Sequence, residues 1–498
     1  MGYKLNTAVF SLLAALILVF QRQRQRAALI RRHGCEQAVV YSPWDQVCGF
    51  DFQMKMYMEV PFLYGLHRKH GNTYQTGSLI GALTVCTIDP ENLRHINTSQ
   101  DFGVSPMRLP GMEYFCGRGF ITTDGNTWRQ SRKMLKPSFE LNNITDLVIL
   151  KEEVDSLLRQ LPKDGSTVDL QPLLYVTFLH SALHFVLGIH PSQQLAGAPL
   201  TADQFVTTFH SALVYSMFHI IRGRLFDLLP QKRFIETCAS AHQFLDFFID
   251  AAFRSKEDQR TRSLIQVLSA ETDDSAFIRS QVIQAMMAAQ DTTSELLTNA
   301  LFLLARHPKY WQQLRVEFLN KTEEDLSATN LLTSKLVKNI LYETLRIYPI
   351  FALLGRIALN DTRLPTGGGS DHRQPMFIPK GTMIVMSYYA LHRDEKVFGD
   401  DVEAFRPERW DTIDPEQWEF QGFGGGNRAC LGQKKALIEA SYVLARLARD
   451  IETLESRDDR EWVGELKMTC KSANGCKVSV KVDSKDVSEP RAGPVLAS

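Results

Sequence analysis

The residues best suited to chemistry lie in the run Phe423–Gly432, where a cysteine follows a glycine-rich turn. Arg428 stands two residues before Cys430, and an apolar helical pattern begins at Ala436. The cysteine is therefore predicted at the start of a helix, where free N–H groups and the helix dipole favour an anion. Such a setting lowers the pKa of a thiol and yields a thiolate that can bind a soft metal ion. The alternative is an ordinary buried cysteine, which is a common state of free cysteines in folded proteins.

The spacing within this run favours the metal-binding interpretation. Five residues match the pattern Phe-x-x-Gly-x-Arg-x-Cys-x-Gly, namely Phe423, Gly426, Arg428, Cys430 and Gly432. The run resembles the haem-binding loop of the cytochrome P450 family. The resemblance implies that the Cys430 thiolate is the axial ligand of haem iron and that Arg428 helps to bind the haem. It implies a supporting role in the loop for Phe423, Gly426 and Gly432.

A second group of polar residues interrupts the longest helical pattern, which covers residues 273–307. Residues 288–294 read Ala-Ala-Gln-Asp-Thr-Thr-Ser, and polar side chains of these types compete for backbone hydrogen bonds, so a local opening of the helix is predicted. A structural polar patch explains the polar residues equally well. The stretch resembles the oxygen-activation motif of the same family, with Ala289 where glycine is commoner. The resemblance implies that Asp291 and Thr292 relay protons during oxygen activation.

Two further features of the family lie on either side of this helix. Trp128 and Arg132 are four residues apart and so share one face of the helix predicted over 126–136. A solvated amphipathic helix would explain the pair without any ligand. In the resembled family, however, Trp-x-x-x-Arg lies above the haem and binds a propionate, and Arg356 matches an arginine that reaches a propionate. The resemblance therefore implies that Trp128, Arg132 and Arg356 bind the cofactor.

A charged group is expected to support the cysteine loop. Glu343 and Arg346 are spaced to pair on one face of an apolar helix. The segment 405–410 reads Phe-Arg-Pro-Glu-Arg-Trp and follows at the distance that the family shows. The resemblance implies that Glu343, Arg346 and Arg409 form a buried triad, which is tolerable only with good geometry and full hydrogen bonding.

The rest of the chain has the pattern of a mainly helical protein. Residues 140–255 are mostly helical in pattern, whereas alternating residues near 60–90 and 350–390 predict short strands. Four glycines and two prolines predict a long loop over residues 101–119. With the resemblance, the expected fold class is mainly α, a cytochrome P450 fold with a small β-rich region and a single N-terminal membrane anchor helix.

Composition narrows the classes of function. The chain has 498 residues, 44% of them hydrophobic and 22% charged, which is enough to bury a large core. With 56 basic and 56 acidic side chains the formal net charge is zero, so no overall field recruits nucleic acid. The eight cysteines form no Cys-x-x-Cys pair and no zinc-binding spacing. A chain of this length needs no disulfides, and the pattern indicates a reducing compartment.

The N-terminus predicts attachment to a membrane. Residues 7–20 are almost wholly apolar, and five arginines follow within residues 22–32. Basic residues on that side place the remaining chain in the cytosol. The run is shorter than the roughly 20 residues of a full span, a mismatch that a thin endoplasmic-reticulum bilayer reduces. The alternative is a cleaved signal peptide, but the basic flank lies on the wrong side for that.

The predicted organisation has four parts. Residues 1–20 are expected to form the membrane anchor and residues 21–50 a basic linker. Residues 51–480 are expected to form the haem-thiolate monooxygenase domain, on the cytosolic side of the endoplasmic reticulum membrane. Residues 481–498 are short, polar and proline-bearing, and are predicted to be a mobile tail.

Electrons must come from a partner, because the sequence contains no flavin or dinucleotide fingerprint. The resembled family uses a membrane-bound NADPH–cytochrome P450 reductase with an acidic docking face. Five basic residues could form a complementary patch: Arg129, Lys133, Lys136, Lys434 and Lys435. An ordinary solvated face explains them equally well. The other partners implied are O2, the membrane and a hydrophobic small-molecule substrate.

The implied function is insertion of one oxygen atom from O2 into a hydrophobic substrate, by C–H hydroxylation or further oxidation. Residues 364–410 and 423–442 resemble the fungal alkane and fatty-acid hydroxylase group, relatives of which also serve fungal secondary metabolism. Candidate pocket segments, largely apolar except for the last, are 104–120, 213–229, 350–354 and 468–475. An intermediate of polyketide or terpenoid type is the expected substrate. The alternatives are a terminal hydroxylase of fatty acids or alkanes, a peroxide-rearranging enzyme and a catalytically silent haem-binding protein.

Overall fold

The structure is a computed structural model that describes residue 21 and residues 24–482, apart from 79–82, 191–195, 223–230 and 255–262. The predicted anchor over residues 1–20 lies outside the described residues. So does nearly all of the predicted tail, whose first two residues end the last strand.

Helices make up most of the described chain. Their bounds are α1 (Phe50–Met58), α2 (Phe62–His70), α3 (Pro90–Thr98), α4 (Ser105–Cys116), α5 (Gly125–Leu135), α6 (Leu141–Ile144), α7 (Val148–Gln160), α8 (Leu170–Leu187), α9 (Ala202–Arg222), α10 (Lys232–Arg254), α11 (Leu264–Glu271), α12 (Ser275–Arg306), α13 (Pro308–Phe318), α14 (Ala328–Thr333), α15 (Lys335–Ile347), α16 (Tyr388–Leu391), α17 (Glu395–Phe398) and α18 (Gln433–Asp450). Short 3-10 turns occupy Lys136–Phe139, Glu324–Leu326, Pro407–Asp411 and Gly426–Arg428.

The strands form small sheets, as expected for a mainly α fold. Their bounds are β1 (Val40–Tyr41), β2 (Thr73–Thr76), β3 (Thr84–Thr87), β4 (Phe102–Gly103), β5 (Val168–Asp169), β6 (Leu353–Ala358), β7 (Thr362–Gly368), β8 (Gln374–Ile378), β9 (Met383–Ser387), β10 (Ile451–Ser456), β11 (Gly464–Leu466), β12 (Cys470–Ser472) and β13 (Lys477–Val482). The largest sheet has the order β1-β2-β3-β9-β6-β4 and joins the two regions in which strands were predicted. The others are β10-β13-β5, β11-β12 and β7-β8.

Helix α12 is the central element of the helical part. It begins after Asp274, whose carboxylate accepts the N–H of Phe277 at 2.9 Å, and ends before Pro308. From Leu296 to Ala305 its side chains are almost all buried, and it packs against α8, α15 and α18. Its N-terminal half packs into a second apolar cluster with α4, α9 and α10. The helix thus crosses the protein and can present residues from its middle to an interior site.

The predicted opening within this helix is wrong. Backbone helix continues through residues 288–294. The hydroxyls of Thr292 and Ser294 donate to the carbonyls of Ala288 at 2.9 Å and Asp291 at 2.8 Å. These side chains add hydrogen bonds to the helical carbonyls instead of displacing the helical N–H groups.

The predicted long loop over residues 101–119 is also wrong, because most of it forms α4. Pro106 lies in the first turn, where a missing N–H costs nothing. The carboxylate of Asp124 accepts the N–H groups of Val104 at 2.9 Å and Ser105 at 2.7 Å. Gly111 lets α4 approach α9 closely, since a Cβ there would lie 2.4 Å from the nearest atom of that helix. Capping and packing from elsewhere in the chain therefore stabilise a helix that local composition disfavours.

The segment predicted as a basic linker is in contact with the body of the protein. Arg26 donates to Oε1 of Gln75 at 2.5 Å, and the ring of His33 stacks on Phe377 at 4.8 Å. Strand β1 then pairs in parallel with β2. Within the described part of the chain, these contacts extend the folded body to the N-terminal side of residue 51.

Among the described residues, α8 is the single helix long and apolar enough to cross a membrane. Ten of its residues are buried, including Leu174, Phe178 and Leu183. It makes extensive contacts with α12. Its hydrophobicity is therefore accounted for by the protein core.

Candidate active site

Glycines set the shape of the cysteine loop. Gly424 and Gly426 have φ angles of +68° and +63°, which residues with side chains rarely adopt. A Cβ on Gly426 would also lie 3.0 Å from the backbone oxygen of Asn97 in α3. Glycine therefore lets the turn run close to α3, and Cys430 then lies just before the N-terminus of α18.

Cys430 is held by backbone groups and faces an arginine. Its N–H donates to the carbonyl of Phe423 at 2.9 Å. Its sulfur accepts the N–H of Gly432, the residue that precedes α18. Burial raises the pKa of the Cys430 thiol, while the Gly432 N–H and the charge of Arg132 lower it. The prediction that the pKa of Cys430 is lowered is therefore wrong for the free thiol, because the effect of burial exceeds that of the two contacts. Part of the residue is nevertheless exposed, so a ligand can approach it.

Four arginines from four different elements lie around this loop: Arg108 of α4, Arg132 of α5, Arg356 of β6 and Arg428 of the loop itself. Arg132 donates to the carbonyl of Ala429 at 2.8 Å, next to the cysteine. Arg356 donates to Oδ1 of Asn97 at 3.1 Å, and Arg108 donates to the carbonyl of Ile121 at 2.7 Å. Sequence patterns give no indication of Arg108, since an isolated arginine between two prolines matches no motif.

One carboxylate balances part of this positive charge. Asp124 lies 2.6 Å from Nη2 of Arg428. Burial, followed by repulsion from Arg356 and Arg428, lowers the pKa of Arg108 to about 9, and Asp124 only partly offsets the shift. The charged groups of Arg108, Arg356 and Arg428 thus share one carboxylate, that of Asp124, which leaves two positive charges uncompensated among these three arginines, while Arg132 faces Cys430. A ligand that carries two carboxylates would balance them.

Trp128 supports the arginines with its ring. The guanidinium carbon of Arg428 lies 4.3 Å from the ring centroid, and that of Arg132 lies 5.8 Å away. Both distances are within the range of cation–π attraction. The one-face arrangement predicted for Trp128 and Arg132 is present on α5, and it helps to orient both arginines toward the cysteine loop.

Asp291 and Thr292 lie in the middle of α12. Oδ1 of Asp291 is buried and has no hydrogen-bond partner among the described residues. Burial raises the pKa of Asp291, whereas the charges of His210 and Lys471 lower it. A buried carboxyl group with a raised pKa and an unused oxygen is typical of a proton-transfer group.

The cysteine loop and α12 meet at one apolar cluster. Leu431, next to the cysteine, and Ala289, two residues before Asp291, both pack against it. Phe120 and Met468 reach the same cluster from two of the predicted pocket segments. The cysteine loop, α12 and two predicted pocket segments therefore contact a shared apolar core.

Two buried glutamines of α12 position the arginine-binding loop, and sequence patterns do not identify this role. Oε1 of Gln284 accepts the N–H of Ile121 at 2.6 Å, and Oε1 of Gln281 accepts the N–H of Phe120 at 3.2 Å. The loop that they hold, residues 117–123, supplies backbone carbonyls to Arg108 and Arg428. Both glutamines stand among many other polar residues of α12, and no sequence motif distinguishes them.

The predicted triad is assembled beneath the loop. Both oxygens of Glu343 accept hydrogen bonds from Arg346, each at 2.9 Å, and Oε1 also accepts one from Arg409 at 3.3 Å. Trp410 donates to the same carboxylate at 3.0 Å, as does the backbone N–H of Arg406. All three side chains of the triad are fully buried. The full hydrogen bonding that a buried charged group requires is therefore met.

A histidine connects this triad to the cysteine loop. Arg346 donates to the carbonyl of His392 at 3.2 Å, and Nε2 of His392 accepts the N–H of Gln421 at 2.9 Å. Burial lowers the pKa of His392 to about 3, so the ring is neutral and can accept that hydrogen bond. Gln421 lies two residues before Phe423, whose carbonyl holds the cysteine N–H.

These features fit a haem ligated by Cys430. Among the described residues, no three possible metal ligands come together, so a metal at Cys430 needs its other donors from a prosthetic group. The uncompensated arginine charges fit the two propionates of a haem, and the hydrophobic cluster fits its ring. The residues that would hold it are Cys430, Trp128, Arg108, Arg132, Arg356 and Arg428.

Comparison with known proteins leads to the same family. The sequence profile of the family described as Cytochrome P450 matches residues 48–465. Cytochrome P450 monooxygenase fsdH of Fusarium heterosporum is 33% identical, over 96% of this chain and 87% of the relative. Cytochrome P450 monooxygenase himC of Aspergillus japonicus is 34% identical over 94% and 87%, and Cytochrome P450 52A3-B of Candida maltosa is 34% identical over 75% and 76%. The chain therefore belongs to the cytochrome P450 family of haem-thiolate monooxygenases.

Proposed function

We propose that this monooxygenase oxidises a large hydrophobic intermediate of fungal secondary metabolism, of polyketide or terpenoid type. The observation that carries the proposal is the apolar cluster that Leu431, the neighbour of Cys430, contacts together with Ala289, Phe120 and Met468. A substrate held there makes mainly hydrophobic contacts, as is usual for small-molecule pockets. Insertion of one oxygen atom then takes place at a C–H bond.

The arginines bind and orient the cofactor in this proposal. Arg108, Arg132, Arg356 and Arg428 would neutralise the propionates, and the ring of Trp128 would hold Arg132 and Arg428 in place. When bound, a thiolate-ligated haem supplies the oxygen-activating chemistry. The triad around Glu343 positions the loop through His392 and Gln421, and Gly424 and Gly426 allow its path.

Asp291 and Thr292 supply protons to the oxygen site in this proposal. The unpartnered Oδ1 of Asp291 can hold a proton or a water molecule. The hydroxyl of Thr292, now donated to Ala288, has lone pairs through which it can accept a proton and pass it on. These two residues favour a working oxygenase over a catalytically silent haem-binding protein.

The relatives fall into two groups by how much of the chain they match. Those from Fusarium, Aspergillus and Emericella cover 90–96% of this chain. Those from Candida, Debaryomyces and Starmerella cover 75–78%. The second candidate function, terminal hydroxylation of fatty acids or alkanes, rests on the latter at similar identity and on the resemblance noted in the sequence.

The body is proposed to sit on the cytosolic face of the endoplasmic reticulum, anchored by residues 1–20. Helix α1 supports this with an exposed apolar face, formed by Phe50, Met54, Tyr57 and Met58 at helical spacing. Phe50 is 64% exposed and Met58 is 70% exposed. Such a face is well suited to contact with lipid.

A reductase is proposed to dock where basic side chains surround the cysteine side of the protein. Arg129, Lys133, Lys136 and Lys434 are exposed and available to an acidic partner. Lys435 does not belong to this patch, because its side chain is largely buried in an ion pair with Glu439. Electrostatic steering by the remaining four raises the rate of association.

The function is tested by spectroscopy followed by substrate screening. The carbon monoxide difference spectrum of the reduced protein should show a Soret band shifted far to the red in wild type and not in C430A. Candidate substrates are then titrated for a spin-state shift and tested for NADPH-dependent product formation with a reductase. A response to dodecanoic acid or dodecane alone would replace the secondary-metabolite proposal with the terminal-hydroxylase one. A red-shifted band that survives in C430A would refute the assignment of Cys430.

A further inference from the structure

Helix α12 carries a second buried carboxyl group beyond its oxygen-activation motif. Glu295 lies one turn after Asp291, and residues spaced in this way share a helix face about 5–6 Å apart at Cβ. Its side chain is almost fully buried, with 4% of the residue exposed. Oε2 of Glu295 accepts a hydrogen bond from Nε2 of Gln171 on α8, at 3.3 Å. An acidic side chain is rarely buried to this extent without a counter-charge in contact.

The two carboxyl groups are surrounded by a defined set of charged and polar groups. Lys471 of β12 acts on both of them, and Lys467 also acts on Glu295. His210 of α9 faces Asp291, and the hydroxyl of Tyr175 on α8 lies 3.0 Å from Nδ1 of that histidine. The hydroxyl of Tyr175 and the thiol of Cys470 also lie near Glu295. Among the described residues, neither the two lysines nor His210 lies within ion-pair distance of either carboxylate.

The far side of Glu295 is close to the protein surface. Nε2 of Gln171 also donates to the carbonyl of Ser472 at 3.2 Å, which ties the first turn of α8 to β12. Gln171 and Lys471 are partly exposed, and the adjoining Pro172 is exposed. Water can therefore approach Glu295 from the junction of α8 and β12, on the face of α12 that carries Asp291.

We propose that Glu295 is the proton-holding group that links this surface junction to Asp291. The proposal rests on the role given to Asp291 and Thr292 under the proposed function. The protonated carboxyl of Glu295 gives its proton to the Asp291 carboxylate, directly or through one water, and regains a proton from solvent beside Gln171. Hydroxylation of a substrate consumes two protons and two electrons as one oxygen atom leaves as water. The reductase supplies the electrons, and this path supplies the protons.

The electrostatic setting suits that role. Burial raises the pKa of Glu295 to about 7, and the charge of Asp291 adds to the shift, whereas Lys471 and the hydrogen bond from Gln171 oppose it. Both protonation states are then populated near neutral pH, which is the best condition for a group that must take and give protons. The rival explanation is a purely structural hydrogen bond to Gln171, which a glutamine at this position would preserve.

The test compares E295Q, E295D and D291N in the haem-loaded full-length enzyme, with D246N as the control. Asp246 pairs with Arg279 at the other end of α12, so D246N also removes a partly buried carboxylate next to this helix. The assay follows NADPH consumption and hydrogen peroxide release with a reductase and dodecanoic acid as the probe, over pH 6 to 8.5. E295Q should lower the rate about tenfold and raise the peroxide fraction, and E295D should restore most of the rate. The rate inflection near pH 7 should vanish in E295Q.

Infrared spectroscopy supplies a readout that does not depend on turnover. The resting enzyme should show a protonated carboxyl band that titrates near pH 7 and is absent from E295Q. If E295Q behaves like D246N, or if no such band exists, the role of Glu295 is refuted. The variant D291N distinguishes a wrong role for Glu295 from a wrong role for Asp291. If D291N also behaves like D246N, the proposed proton path through Asp291 is wrong as well.

Discussion

Replacing Glu343 by glutamine tests how strongly the buried triad stabilises the protein. The carboxylate accepts two hydrogen bonds from Arg346, one from Arg409, one from Trp410 and one from the backbone of Arg406. Glutamine retains the shape but removes the charge, and it turns one acceptor oxygen into a donor that faces other donors. Two fully buried guanidinium groups then lose their shared counter-ion.

The expected loss of stability is large because the Glu343 carboxylate is fully buried. Removing one partner of a buried ion pair costs about 3–5 kcal/mol. Whole proteins are stable by about 5–15 kcal/mol, so E343Q should remove about a fifth or more of the total. The matched control is E408Q, in the same segment as Arg409, where the ion pair with Lys309 is half exposed and should contribute less than about 1 kcal/mol.

The measurement is urea unfolding of the haem-loaded protein, followed by tryptophan fluorescence and by the Soret band. Because the triad reaches the loop through His392 and Gln421, both signals should move to lower urea in E343Q. A midpoint for E343Q that corresponds to a loss within about 1 kcal/mol of E408Q would refute the reasoning.

Two further predictions follow from the site. His392 has a pKa of about 3 in the folded protein and about 6.5 in the unfolded chain. Its contribution to the free energy of unfolding is therefore full above pH 6.5. Below that pH the contribution falls, because the histidine takes up a proton when the protein unfolds. Relative to H392Q, wild type should lose up to about 1.4 kcal/mol per pH unit between pH 6 and 4, measured by urea unfolding at each pH, and parallel profiles would contradict this. R108A would remove one charged contact to a propionate and should speed haem transfer to apomyoglobin about tenfold. The control R118A, at an exposed arginine, should not change the transfer rate. Equal rates for the two variants would exclude Arg108 from the site.

The residues that sequence alone could identify are those whose spacing is local. Cys430 and its glycines, the pair Asp291 and Thr292, and the helix through Trp128 each occupy one short segment, so their pattern survives without knowledge of the fold. The long helix was also predictable, because thirty residues without proline leave few alternatives. The family match confirms the identity that the cysteine loop predicted.

The features that sequence could not supply depend on distant contacts. Helix α4 forms although it contains glycine and proline, because Asp124, about twenty residues later, caps its first turn. Arg108 and Gln284 acquire roles only when that loop folds onto α12. Lys435 looks like part of a basic patch until the fold pairs it with Glu439.

The contact between Arg26 and Gln75 bears on how the enzyme meets its substrate. With residues 1–20 as the anchor, only six residue steps separate the membrane from this fixed point, a tether of at most about 20 Å. A domain on so short a tether stays close to the bilayer, within reach of the lipid contact proposed for the exposed face of α1. Hydrophobic compounds concentrate in lipid, so with this anchor a hydrophobic substrate would reach the enzyme from a two-dimensional reservoir at a high effective concentration. Lengthening the segment around residue 22 should therefore weaken oxidation of membrane-dissolved substrates more than that of water-soluble ones.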